Sequence, residues 1–191
     1  MVQIRVEHKP GFLVTGKSTW IGGEGPSNEP FGRFWAECRV NGHLEALHRA
    51  TGGLPGAVTG GTILGVSLIR EDPAVRNFYY CIGAEGEAPE GCESFHIPAG
   101  EWAIFRNQGI MPDALVEAEM LAFERWLPQS GLRHRAAPEM EVYLPDAGDG
   151  MIHVEFWLPV EAIPQSAGPQ VAADDRADGL HTDGQAGEAL Q

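Results

Sequence analysis

The order strand, proline/glycine bend, strand, helix, hairpin is legible twice in this chain, and a duplication of that kind constrains the fold more than any single motif. The first copy opens with Glu7-His8-Lys9-Pro10-Gly11-Phe12-Leu13-Val14. The second opens with Phe95-His96-Ile97-Pro98-Ala99-Gly100-Glu101-Trp102-Ala103-Ile104. In each, apolar residues typical of strands flank a bend that Pro and Gly favour.

A helix is expected after each bend. In the first copy Asn28 is placed to cap it and Pro30 to occupy its first turn, with Phe31, Phe34, Trp35 and Cys38 following at helical spacing. Gly42 weakens its second half. The second helix runs from Pro112 to Pro128 and Gly131, with Val116, Met120, Phe123 and Leu127 on one stripe and Leu115, Ala118, Ala122 and Trp126 widening it. An apolar face that broad must lie on a sheet.

Two extended segments follow each helix: 62–69 with 76–83, and 139–144 with 152–158. Glu71-Asp72-Pro73 and Asp146-Ala147-Gly148-Asp149-Gly150 supply turns between them. The expected class is α+β, a duplicated strand-helix-hairpin module forming an antiparallel sheet, with helices on one face and a ligand groove on the other. One domain over 1–160 is expected, its internal repeats at about 1–86 and 92–160. Residues 165–191 are expected to form a disordered acidic tail: from Ala167 onward only Val171, Leu180 and Leu190 are larger apolar residues, too few to offset ordering entropy.

Composition narrows the function. The formal net charge of −14 opposes direct binding to a phosphate backbone, and suits cationic ligands or basic protein surfaces. No apolar run is long enough to span a bilayer and no secretory signal opens the chain, so a cytoplasmic protein without membrane contact is expected. Cys38, Cys81 and Cys92 are scattered and odd in number, indicating neither a disulfide framework nor a metal site, and no cofactor is implied. Gly22-Gly23-Glu24-Gly25 and Thr59-Gly60-Gly61-Thr62 lack the context of a phosphate-binding loop and read as loops.

Alternation along the hairpins suggests a working surface. With Met140, Val142, Leu144, Ile152, Val154, Phe156 and Leu158 turned inward, the opposite face carries Glu139, Glu141, Tyr143, His153, Glu155 and Trp157, with no Lys or Arg among them. In the first hairpin Leu64, Val66 and Leu68 with Phe78, Tyr80 and Ile82 read as inward, leaving Tyr79 and Cys81 opposite. On a curved sheet the two opposite faces would form one hollow. Carboxylates among aromatic rings suit a flat cationic or hydrogen-bond-donating compound. Glu141, Glu155, Tyr143, Trp157, Tyr79 and Cys81 are therefore the candidate ligand-binding residues, with Trp35 at the mouth. If the chain is an enzyme, Glu141 is the candidate catalytic base.

Five segments, Pro10-Gly11-Phe12-Leu13-Val14-Thr15-Gly16, Phe31-Gly32-Arg33-Phe34-Trp35, Phe78-Tyr79-Tyr80-Cys81-Ile82-Gly83, Ile97-Pro98-Ala99-Gly100-Glu101-Trp102-Ala103 and Glu139-Met140-Glu141-Val142-Tyr143-Leu144-Pro145, in that order resemble the GyrI-like, or bacterial transcription-regulator effector-binding, family. The resemblance implies two joined strand-helix-hairpin modules about a ligand groove. It also implies that Glu141 matches the buried glutamate with which multidrug-responsive members contact cationic aromatic drugs, and that Glu155 matches a second family acid. Regulators of the family carry a separate DNA-binding domain, which is not read here, so a stand-alone member is expected. Its expected role is binding small hydrophobic, aromatic, cationic compounds. The alternatives are a hydrolase of strained cyclopropane-containing electrophiles and an acidic protein-interaction module such as a gyrase inhibitor.

Overall fold

A computed structural model describes residues 1–22, 29–51, 57–69, 72, 74, 76–87 and 91–164. Asn28, most of the Glu71-Asp72-Pro73 turn and the expected tail lie outside the described residues. The elements are β1 (Gln3–Lys9), β2 (Phe12–Ile21), α1 (Glu29–Val40), α2 (His43–Thr51), β3 (Ile63–Leu68), β4 (Phe78–Glu85), β5 (Glu93–Ile97), β6 (Gly100–Gly109), α3 (Asp113–Met120), β7 (Leu132–His134), β8 (Glu139–Tyr143) and β9 (Ile152–Ala162). A π-helical stretch, Leu121–Trp126, and a 3-10 turn, Leu127–Gln129, continue α3.

The expected first helix divides at Gly42, whose φ of 78° only glycine adopts without strain. Along α3 the buried residues are Ala114, Leu115 and Ala118, followed by Ala122, while Met120 is exposed. The sheet-facing stripe is thus rotated from the one read off Val116 and Met120. Small alanines let the helix backbone approach the sheet, which longer side chains on that line would prevent.

All pairings are antiparallel, and the strand order is β1-β6-β9-β8-β3-β4-β2-β5, with β7 added beside β9. Read from either end the order has the same plan: an end strand, the strand after the bend, then a hairpin. The halves meet at β8 and β3. Each end strand pairs with the opposite half, β1 with β6 and β5 with β2.

This exchange curls the sheet. Only Pro10 and Gly11 join β1 to β2, although these strands lie toward opposite ends of the order, and Pro98 and Ala99 join β5 to β6 in the same way. Three peptide steps span at most about 11 Å. The two ends therefore lie near each other, and Phe12, Val14 and Ile97 pack in one buried cluster with Trp102, Ile104 and Trp157 across the curl. Two further clusters place the opposite face under the helices, one below α1 and α2 around Tyr80, Ile82 and Cys38, the other below α3 around Phe105, Phe156 and Leu158.

A sheet buried on both faces explains why alternation misassigned sides. Val142 pairs with Glu155 and Met140 with Trp157, so Glu155 and Trp157 face the interior of the curl. Glu141 pairs with Phe156 and Tyr143 with Val154, on the helix side. In the first hairpin Leu64, Val66 and Leu68 share a face with Gly83, Cys81 and Tyr79, not with Tyr80. One strand of each hairpin was turned over, because both of its faces are apolar enough to pass for the buried one.

Candidate functional site

The candidate acids do not share a hollow. Trp157 is 2% exposed within the interior cluster, its Nε1 donating to Glu155 Oε2 at 2.8 Å. Arg5 donates to Glu155 at 3.0 Å, and Lys9 Nζ lies 5.0 Å from the Trp157 ring centroid. These groups satisfy one another within the core. Cys81 is fully buried beside them, and burial drives its thiol far above the usual range, leaving an inert apolar filler. Tyr79 is 49% exposed and stacks edge-on against Trp20 at 5.1 Å, on the interior side of the sheet and apart from Glu141.

Glu141, Tyr143 and Trp35 do come together, joined by a residue the alternation had placed in the core. Glu141 lies at the junction of the halves, on the helix face of β8, opposite Gly65 of β3. Tyr80 donates to its Oε2 at 2.8 Å and Tyr143 to the same oxygen at 2.6 Å. Trp35, projecting from α1, donates from Nε1 to the Tyr80 hydroxyl at 3.0 Å and sets its ring edge-on to Tyr143 at 4.9 Å. Phe31 closes on Tyr80 at 4.8 Å. Two phenol donors and a ring wall thus surround a carboxylate that is only 8% exposed.

The space for this cluster is glycine's. A Cβ at Gly65 would stand 2.6 Å from Glu141 Oε2 and closer still to the Tyr80 hydroxyl oxygen. Glu141 Oε1 has no hydrogen-bond partner among the described residues. Burial pushes the Glu141 carboxyl above its ordinary range, hydrogen bonds from Tyr143 and Tyr80 oppose this, and the charge of Glu139 adds to it.

Glu139, two residues earlier on the same face, is held bidentately by Arg76, at 2.6 and 3.0 Å. His134 Nε2 lies 3.3 Å from Glu139 Oε1 but makes no hydrogen bond. Burial and then the Arg76 charge bring its pKa down to about 4, so this His is neutral near pH 7 and the contact is no ion pair. Beyond it, between the β3–β4 turn and α3 with its π-helical continuation, opens a cavity of about 630 Å³ lined by Asp72, Arg76, Glu119, Met120, Phe123 and His134, among others.

Sequence reasoning missed Tyr80, Gly65, Arg76 and Glu119. The Tyr79-Tyr80 pair offered a signal, since one ring had to point to each side, but only the strand register decides which. Among the described residues no group of three or more His, Cys, Asp or Glu is arranged to hold a metal ion, and no helix is long and apolar enough to cross a membrane.

This mostly antiparallel, helix-covered sheet is the effector-binding fold. Residues 3–161 match the model of the GyrI-like small molecule binding domain, and the chain belongs to the GyrI-like family. Among solved structures it is similar to a putative bacterial transcription regulation protein from Staphylococcus aureus MU50, at 20% identity and a TM-score of 0.66, over 84% of this chain and 99% of that one. SAV2435 bound to tetraphenylphosphonium is similar at 18% identity and a TM-score of 0.68, over 83% of this chain and 94% of that one. The C-terminal domain of EcmrR is similar at 14% identity and a TM-score of 0.57, over 85% of this chain and 99% of that one. No curated protein matches the chain significantly.

Proposed function

We propose that this domain binds aromatic cations at Glu141, with Trp35, Tyr80 and Tyr143 as the surrounding walls. One observation carries the reading: a buried carboxylate has two hydrogen-bond donors on one oxygen and none on the other. Burying a charge without compensation is costly, and a cation beside Oε1 supplies what the protein leaves out. Rings at right angles offer faces to a planar or propeller-shaped cation, each contact contributing about 0.5 to 2 kcal/mol. Because Glu141 is nearly covered, entry requires Trp35 to turn aside, breaking its single hydrogen bond to Tyr80.

The tetraphenylphosphonium bound to SAV2435 supports this ligand class. In the proposed role the bound cation acts as an effector, and a regulatory partner reads the change in α1. Titration with tetraphenylphosphonium, followed by quenching of tryptophan fluorescence, tests the site. Glu141→Gln keeps the shape and removes the charge, and a loss of about 2 kcal/mol or more, roughly thirtyfold in Kd, is expected. Unchanged affinity in that variant, with its thermal unfolding intact, would refute the assignment.

A further inference from the structure

The cavity beyond Arg76 is built for a positive charge too, and nothing in the Glu141 cluster uses it. Three acids line it, Asp72 from the β3–β4 turn, Glu119 from α3 and Glu124 from the π-helical continuation. The one cation on its wall, Arg76, is already engaged by both oxygens of Glu139. His134 at its edge is neutral near pH 7. Glu119 makes no hydrogen bond or ion pair among the described residues, while Met120 and Phe123 on the same wall offer a thioether and a ring. The π-helical turn carries Phe123 and Glu124, and such widened turns redirect side chains from the line an α-helix would give them.

We propose that this cavity is a second binding site, for a planar aromatic monocation, with Glu119 as the carboxylate that meets its charge and Phe123 and Met120 as the surface beneath its rings. The site shares with the Glu141 reading only the sign of the ligand's charge. Residues facing Glu119 are its α3 and π-helical neighbours including Glu124, Asp72 and Arg76 from the turn, His134 from the end of β7, and Glu139 and Glu141 from β8. Burial, then the charges of Glu141 and Glu139, push the Glu119 carboxyl up to about 8 against the pull of Arg76. Near pH 7 it therefore holds its proton in the free protein. A fixed positive charge arriving beside it favours the carboxylate, and the proton leaves to the buffer.

Binding is thereby coupled to proton release, which no merely apolar cavity would produce. Calorimetric titration of the full chain with berberine, a permanent planar monocation, at pH 7.0 in phosphate and in Tris tests this. The two buffers differ in ionisation heat, so the difference in binding heat counts protons. Wild type and Glu141→Gln are both expected to release nearly one proton for each cation bound at this cavity. Glu119→Gln, a near-isosteric replacement for a group already protonated, is expected to abolish that release and weaken this binding event about tenfold or more.

Equal heats in the two buffers for the wild type overturn the proposal, as does undetectable berberine binding. So does a Glu119→Gln chain that binds and releases protons like the wild type. If Glu141→Gln alone abolishes binding, the Glu141 site stands and this one falls; if Glu119→Gln alone abolishes it, the reverse holds. Wild-type proton counting needs no variant, so the result does not depend on how either substitution folds.

Discussion

Gly65 on β3 and Glu141 on β8 face each other across the strand pair where the two halves meet, and the glycine's missing side chain is the room the carboxylate occupies. Gly65→Ala would push a methyl group against Glu141 Oε2 and the Tyr80 hydroxyl. Overpacking of this kind costs about 1 to 3 kcal/mol. The expected outcome is a folded protein with a lowered unfolding midpoint and at least tenfold weaker tetraphenylphosphonium binding, read by chemical denaturation and by titration.

Tyr80→Phe and Tyr143→Phe each remove one donor from Glu141 Oε2. Hydrogen bonds to a charged group contribute about 1.5 to 3 kcal/mol, so the ionised carboxyl becomes harder to form and its pKa rises further. Cation affinity is expected to fall about tenfold in either variant at pH 7 and to recover in part at pH 9. Parallel titrations at the two pH values check this; a loss that is equal at both would assign the tyrosines to packing alone.

Stability should decline as the solution becomes alkaline. Glu119 has a folded-state pKa of about 8 and an ordinary value of 4.5, so its contribution is fully present below about 4.5 and lost as pH rises through 8. Glu141 and Glu139, also raised, act in the same direction. Between pH 5 and 8.5 the unfolding free energy attributable to Glu119 should drop by on the order of 2 to 4 kcal/mol. Thermal melts across that range should show a shallower slope for Glu119→Gln than for the wild type.

Arg76→Met strands Glu139, which is 3% exposed, without its counter-ion. A loss of about 3 kcal/mol is expected, and the double variant Arg76→Met with Glu139→Met should regain most of it, because two apolar side chains can replace a buried pair with little penalty. Urea denaturation of the four proteins measures the coupling. Additive losses would show that Arg76 acts through its contact with the Phe78 and Phe123 rings instead.

Glu155→Gln and Trp157→Phe should leave tetraphenylphosphonium affinity within about twofold of the wild type, since both groups lie inside the curl, across the sheet from Glu141. Trp157→Ala should nonetheless cost about 3 to 5 kcal/mol, as expected of a large ring removed from a filled core. Titration and denaturation of the same three variants separate the two effects.

The sequence by itself determined the class of elements and their order. Two bends, a long helical stripe ended by Pro128 and Gly131, and two hairpins could be read because each signal is local: a fixed φ, a missing donor, a spacing of three or four. Glu141, Tyr143 and Trp35 were also within reach, as an acid among rings with no basic residue alternating between them. Which side of the sheet each strand presents was not. A shift of one residue in pairing turns every side chain over, and here both faces are buried, so alternation loses the contrast on which it depends. Only the exchange of β1 and β5 between the halves, which curls the sheet and encloses Glu155 and Trp157, decided that Glu141 would stand apart from them, opposite a glycine and beneath two tyrosine hydroxyls.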